Sequence, residues 1–473
     1  MRSERSFVLH WMVAFRRRRS NYALEHAANE ARRLDKPLVI LEALRLDYPW
    51  ASDRLHRFVI DGMAVNRRDF AGAQVLYHPW IERERGGGRG LIETLARDAC
   101  LIVTDDYPCF FVPRAVAVAA GRVDVRLEAV DANGLLPLRA ADRVFARAFD
   151  FRRFLQRELP AHLLEPPAAD SLAALELPRL EALPAEVSRR WPAATADDLA
   201  SPSLGALPID HAVAAVDDTR GGAKAAHAVL ERFVDRSLDR YADGRLDLDD
   251  PVTSGLSPYL HFGHLGTHQV LAAVTEREGF DPSRLGGPAG GKARGWWGLS
   301  APAEAFLDQL VTWRELGFNL NARVDDYDRY ESLPEWARRT LREHEDDPRP
   351  YLYSPEQLEG ADTHDPIWNA AQRELLETGR IHNYLRMLWG KKILEWSPSA
   401  RDALDTMIRL NDKYALDGRD PNSYSGICWC LGRYDRAWGP ERPIFGKVRY
   451  MSSESARRKL RMTRYLERFG GGG

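Results

Sequence analysis

Five short apolar runs alternate with helical segments in the first third of the chain, and after residue 221 helical patterns continue almost without interruption. That change of period constrains the fold more than any other feature. The runs are FVLHWM (Phe7 to Met12), PLVILEAL (Pro37 to Leu44), AQVLYHPW (Ala73 to Trp80), CLIVTDDY (Cys100 to Tyr107) and VDVRLEAV (Val123 to Val130), and they read as strands. Helical periodicity lies between them, from Asn21 to Leu34, Asp53 to Phe70, Gly90 to Ala99 and Phe110 to Gly121. Strand and helix in alternation predict a parallel sheet covered on both faces. No GxGxxG or Walker motif follows a strand, so the usual dinucleotide and phosphate fingerprints are absent, and GGGRG at Gly86 to Gly90 reads as a flexible turn.

From Asp142 to His211 the chain turns Ala-, Leu- and Pro-rich, as expected of a long connector with short helices. Helical patterns then cover 223–241, 256–278, 302–320, 334–345, 366–379, 381–396 and 399–410, with a Gly- and Pro-rich loop from Asp281 to Pro302 among them. A chain of 473 residues is long for one hydrophobic core. The expected organisation is an α/β domain over 1–140, an interdomain linker over 141–220 and an all-helical domain over 221–473.

With 44% hydrophobic and 29% charged residues the composition is that of a globular protein, and no run approaches the ~18 apolar residues of a membrane span. Arg16 to Arg19 lead into SNYALEHAANEARR rather than an apolar targeting segment. Cys100, Cys109, Cys428 and Cys430 form no CxxC pair, which predicts free thiols in a reducing compartment, no metal site and a cytoplasmic location. The net charge of −2 gives no support for nucleic-acid binding overall. Leu431 to Arg468 differs, with eleven Lys/Arg against four Asp/Glu interleaved with Tyr434, Trp438, Phe445 and Tyr450. Such a stretch either tracks phosphates and stacks bases or is a solvated surface.

Trp389 and Trp396 are seven residues apart, about 10.5 Å along a helix and nearly on one face. Trp368 lies just upstream. The spacing is that of an ordinary aromatic core stripe and also suits electron stepping between indoles.

Four C-terminal segments narrow these alternatives. SGLSPYLHFG (254–263), WREL with Gln309 one turn before it, GRIHNYLRMLWGKKILEW (379–396) and LNDKYALDGRDPNSYSGICW (410–429), followed by DRAWGPERPIFGKVRYM, together resemble the photolyase/cryptochrome family. The resemblance is closest to the class II cyclobutane pyrimidine dimer photolyases, dense from Arg232 to Arg458 and sparse but colinear from Val8 to Val130. It implies a Rossmann-like α/β antenna domain and a helical domain holding FAD. Ser254, Leu256 and Ser257 match phosphate-contact positions, although SGLSP by itself is also an ordinary helix N-cap. Arg386 and Asp417 match an Arg–carboxylate pair beside the flavin, and Asn411 matches the amide facing flavin N5. Asn383 and Asp420 match further flavin-side positions.

The same resemblance implies that Trp389, Trp396 and Trp368 form an electron relay, with Trp389 nearest the cofactor and Tyr353 beside the path. Trp313, Met387 and Trp429 match the walls of the cavity for a flipped dimer, and Arg436 and Arg449 match DNA-contacting positions. It implies, too, that the damaged nucleotide is extruded from the duplex, as photolyases do. Two departures stand out. Gln309 occupies the position of a family glutamate that touches the lesion; it donates a hydrogen bond but supplies no proton. Asp308, adjacent, points about 100° away on an α-helix. After the first strand the chain reads HWMVAFRRRRSNYAL where class II proteins have an Arg-Asp-Gln-Arg string, leaving open a deazaflavin, a folate or an empty antenna pocket. The implied function is light-driven repair of pyrimidine dimers in DNA by electron transfer from reduced FAD, in a monomer with no membrane partner. The alternative is a cryptochrome-like photoreceptor or lesion-binding flavoprotein with weak or no repair.

Overall fold

The computed structural model describes residues 1–200, 204–281, 285 and 289–471. Residues 201–203 of the expected connector, and 282–284 and 286–288 of the expected Gly- and Pro-rich loop, lie outside the described residues. Contacts group the chain into two compact units: Met1–Leu138 with Ala161–Arg232 and Gly255–Thr275, and Arg139–Pro160 with Phe233–Ser254 and Glu276–Gly473.

In the first unit β1 (Phe7–Met12), β2 (Leu38–Leu44), β3 (Leu76–Ile81), β4 (Ala99–Asp105) and β5 (Leu127–Val130) form the expected parallel sheet, in the order β3-β2-β1-β4-β5. Central β1 pairs with β2 and β4, Leu9 opposing both Val39 and Ile102. Burial on both faces explains why the runs of β1, β2 and β4 are almost wholly apolar, whereas edge strand β5 is half-buried along its length. Phe7 and Leu9 face a core with Trp80, Leu95 and Trp191, while Val8 and Met12 face another with Leu24, Ala28 and Phe70.

The intervening helices are α1 (Tyr22–Leu34), α2 (Asp53–Ala71), α3 (Leu91–Ala96) and α4 (Val112–Ala120). Asn21 caps α1 by accepting the N–H groups of Ala23 and Leu24. Two strands start later than their apolar runs for one reason. Ala73 N–H still bonds Phe70 O, and Val123 N–H still bonds Ala119 O, so both residues belong to the closing turns of α2 and α4. The expected helix over 256–278 is two, Ser257–His261 and Thr267–Arg277. Gly263 separates them with a φ of 70°, and a Cβ there would collide with the Ala14 carbonyl.

The second unit is helical. Its core surrounds the helix Asn383–Trp396, packed with Pro366–Thr378 and Ala400–Tyr414 around Leu385, Leu388, Trp389, Met407 and Trp396. Buried on most sides, Asn383–Trp396 lacks a clear polar face. Helix Pro421–Cys430 went unanticipated, although its signal is a local one: Asp420 as N-cap accepting the Asn422 N–H, and proline at the first helical position. The stretch expected as one helix over 302–320 runs as Ala301–Leu307 and Arg314–Asn321 joined by a π-helical turn, Asp308–Trp313.

Candidate functional site

Asn383, Arg386 and Met387 fall at i, i+3 and i+4 of their helix, hence on one face, and that face lines a cavity of about 1100 Å³ in the second unit. Such a volume exceeds the roughly 300–1,000 Å³ of a single small-molecule site. Gln309 and Trp313 line it from the π turn, Trp429 from helix Pro421–Cys430, and Arg449 from the chain beyond it. Seven Lys or Arg side chains reach the lining against two carboxylates, Asp308 and Asp435, so the cavity suits an anionic ligand.

Both carboxylates are already engaged. Asp308 takes a bidentate pair from Arg152, and Asp435 takes Arg449 Nε at 2.9 Å and the Trp438 indole N–H at 3.0 Å. Asp308 also lines the cavity, but its carboxylate is committed to Arg152. Arg449 stacks at 4.2 Å over Trp438 and 5.5 Å over Trp429, while exposed Arg436 stacks at 4.5 Å over Trp438 without lining the cavity. Burial pushes the Tyr241 phenol, also in the lining, up to about 12, so it stays a protonated donor.

Arg386 Nη2 sits 3.2 Å from both oxygens of Asp417. Its Nε is buried and without a partner among the described residues, a guanidinium edge left for an acceptor from outside the protein. Asn411 is buried, and its amide N–H₂ donates to Ser423 Oγ at 2.6 Å and Asp412 Oδ1 at 3.2 Å. Those bonds assign the amide orientation and leave Oδ1 as the end without a donor among the described residues. Burial raises the Asp412 carboxyl above its ordinary range, against the pull of Arg419 and of bonds from Tyr424 and the Arg419 N–H. Asp420 works as the helix cap. Leu256 and exposed Ser257 belong to the first unit, at the start of a five-residue helix, and half-buried Ser254 to the second.

Trp389 and Trp396, on helix Asn383–Trp396 itself, are buried with Trp368 in the helical core. Trp368 and Trp396 meet edge to face at 5.6 Å, and the Trp368 indole N–H donates to the Trp389 carbonyl at 3.1 Å. The Trp389 indole N–H donates to Gln372 Oε1 at 2.9 Å. Tyr353 meets Trp396 at 5.4 Å. Sequence reasoning overlooked Arg152, which lay in the expected linker, and Lys391, which sits beneath Trp429 with its ammonium 5.0 Å from the ring and 2.6 Å from the Cys430 carbonyl. Burial lowers Lys391 to about 8.

The first unit holds its own cavity, about 810 Å³, beside α1 and β5. Glu25, Glu128, Asp131 and Glu165 line it with no Lys or Arg, a poor match for an anionic chromophore such as a folate. Among the described residues no cluster of three or more His, Cys, Asp or Glu is arranged to hold a metal ion. Nor is any helix among them long and apolar enough to cross a membrane.

A parallel α/β unit followed by a helical unit with a cationic, aromatic cavity is the architecture of the photolyases. The chain belongs to the deoxyribodipyrimidine photolyase family. It is 34% identical over 469 residues to the deoxyribodipyrimidine photo-lyase of Methanothermobacter thermautotrophicus, covering 98% of this chain and 95% of that one. The deoxyribodipyrimidine photo-lyase of Oryza sativa subsp. japonica is 33% identical over 480 residues, covering 97% and 86%. A bacterial class III photolyase from Agrobacterium tumefaciens shares the fold, with a TM-score of 0.66 over 91% of this chain and 80% of that chain at 15% identity. No family model matches. FAD is the cofactor of this family, and the unpartnered Arg386 edge, the Asp417 anchor and the Asn411 oxygen are a donor and acceptor set that fits a flavin.

Proposed function

We propose that the protein repairs cyclobutane pyrimidine dimers in DNA under light, as a class II-like photolyase acting as a cytoplasmic monomer. One observation supports the reading: Arg386, held by Asp417, lines one cavity with the aromatic side chains of Trp313 and Trp429, and three indoles lie buried in the same helical core. Bound by Asn383, Arg386, Asn411 and Asp417, FAD supplies one-electron chemistry. Arg386 stabilises negative charge beside it, and Asp417 keeps the guanidinium in place. Asn411, whose amide N–H₂ is taken up by Ser423 and Asp412, would offer its Oδ1 to a donor on the flavin. Trp313, Met387 and Trp429 provide apolar faces for two extruded bases and exclude water. Gln309 donates a hydrogen bond to a pyrimidine carbonyl, fixing the dimer and stabilising charge that develops on it. Arg449 and Arg436 neutralise backbone phosphates, and Arg449 fills the gap in the duplex.

Gln309 favours a second reading, a lesion-binding or light-sensing flavoprotein without efficient repair. Binding to dimer-containing DNA and light-dependent dimer loss, measured on one preparation, decide between them. Binding with repair supports the proposal, binding without repair supports the second reading, and neither supports light sensing alone.

A further inference from the structure

All three relay tryptophans are 2% exposed or less, so an electron vacancy formed among them reaches water only through a neighbouring group. Half-buried Tyr353 is that neighbour. Its backbone N–H donates to the Trp396 carbonyl at 3.2 Å, and its ring meets the Trp396 ring at 5.4 Å. On its far side the phenol oxygen lies 2.6 Å from His364 Nδ1 and accepts the His364 backbone N–H at 3.0 Å.

We propose that His364 takes the phenolic proton of Tyr353 as Trp396 oxidises it, so that the outermost step of the relay moves an electron and a proton together. The inference rests on the relay reading above. Because the phenol oxygen already accepts from the backbone, its one hydrogen points to Nδ1, which places the neutral imidazole in its Nε2–H tautomer. A phenol that loses an electron becomes a strong acid, and a base at hydrogen-bond distance removes the cost of leaving the proton in place. His364 is exposed, so the proton passes on to water, and the ring of Tyr351 stacked on it at 3.8 Å holds the imidazole in position. Lys392 Nζ, 5.4 Å from the Trp396 ring, disfavours positive charge there and drives the vacancy outward, tempered by its pairing with Glu395.

The step balances. One electron passes from Tyr353 to oxidised Trp396, the Tyr353 O–H bond breaks, and its proton forms an N–H bond at His364 Nδ1. The products are a neutral indole, a neutral phenoxyl and an imidazolium. The ultimate oxidant is a photoexcited flavin, and a soluble thiol later returns a hydrogen atom to the phenoxyl.

The test follows tryptophanyl and tyrosyl radicals by transient absorption in the flavin-loaded protein, in light and heavy water, for the natural chain, His364→Phe and His364→Gln. Glutamine retains an acceptor oxygen without a base, and phenylalanine retains the stacked ring. Tyrosyl formation is expected to show a solvent isotope effect in the natural chain and to slow by roughly a hundredfold in both variants, the low end of what a positioned base contributes. Nitrogen NMR of His364, which needs no flavin, is expected to show an unprotonated Nδ1 whose shift changes in Tyr353→Phe. Tyrosyl formation at the natural rate in either variant, or a protonated Nδ1 in the neutral imidazole, overturns the proposal while leaving the relay intact. If no tryptophanyl radical forms in the natural chain, the relay reading fails and the proposal with it.

Discussion

Arg152 and Asp308 form a two-pronged ion pair, Nε to Oδ1 at 2.7 Å and Nη2 to Oδ2 at 3.1 Å, on the wall that Gln309 and Trp313 share. Arg152 Nη1 also holds the Gly291 carbonyl at 3.2 Å, so one guanidinium clasps both the π turn and the loop before it. The side chains are only 11% and 13% exposed.

Arg152→Met therefore strands a nearly buried carboxylate. Urea denaturation is expected to show a loss of roughly 3 kcal/mol, the scale for breaking a buried pair by removing one partner. Adding Asp308→Asn is expected to recover part of that loss. Strict additivity of the two changes would mean that they do not act as a pair.

Gln309→Glu restores an acid to the cavity wall. A hydrogen bond to a charged group is worth about 1–3 kcal/mol, or roughly tenfold to a hundredfold in the affected step. Dimer repair per absorbed photon is expected to rise in the variant while flavin content stays constant. Equal repair by both chains would make glutamine a neutral replacement.

Trp389→Phe preserves most of the ring and removes the oxidisable indole. Flavin photoreduction is expected to stop while FAD remains bound. The lost N–H also leaves Gln372 Oε1 unpaired in the core, which costs about 1–3 kcal/mol in thermal denaturation. Photoreduction at the natural rate would return Trp389 to a packing role.

Lys391 gives a pH signature. Burial lowers it to about 8 from an ordinary 10.5. Between those values the unfolded chain binds more protons than the folded one, so the group's contribution to stability rises with pH across that window. Below it the buried charge costs about 3 kcal/mol, at 1.36 kcal/mol per unit. Lys391→Met is expected to flatten this rise when unfolding is measured at successive pH values from 7 upward. An unchanged profile would assign the rise to other groups.

Arg449→Ala and Arg436→Ala are expected to weaken DNA binding and to lower its salt dependence by about one unit of slope per lost phosphate contact. Fluorescence anisotropy at several salt concentrations reads both quantities. If Arg449 fills the gap left by extruded bases, its loss reduces preference for damaged DNA more than total affinity.

The central strands are legible because burial on both faces writes itself as a nearly uninterrupted apolar run, as in β1. Helix breaks were less so. Gly263 ends a helix because of the Ala14 carbonyl, which lies 249 positions away and leaves no local trace. The pairing of Arg386 with Asp417 was accessible through family resemblance alone, since neither neighbourhood hints at the other. Arg152 was missed because a proline-rich connector gives no sign that one of its arginines reaches a site 156 residues on. The π turn at Asp308–Trp313 has no local signal either, since its residues fit an unbroken α-helical pattern over 302–320.

That wider turn makes the cavity wall a matter of counting. Asp308–Trp313 accommodates more chain per revolution than an α-helix does, so the bearings of Gln309 and Trp313 depend on how many residues separate their flanking helices. Deleting one residue from the turn would rotate one flank against the other by about 100° while leaving composition and hydrophobicity almost untouched. Side-chain identity at these positions is open to gradual adjustment, but chain length is not.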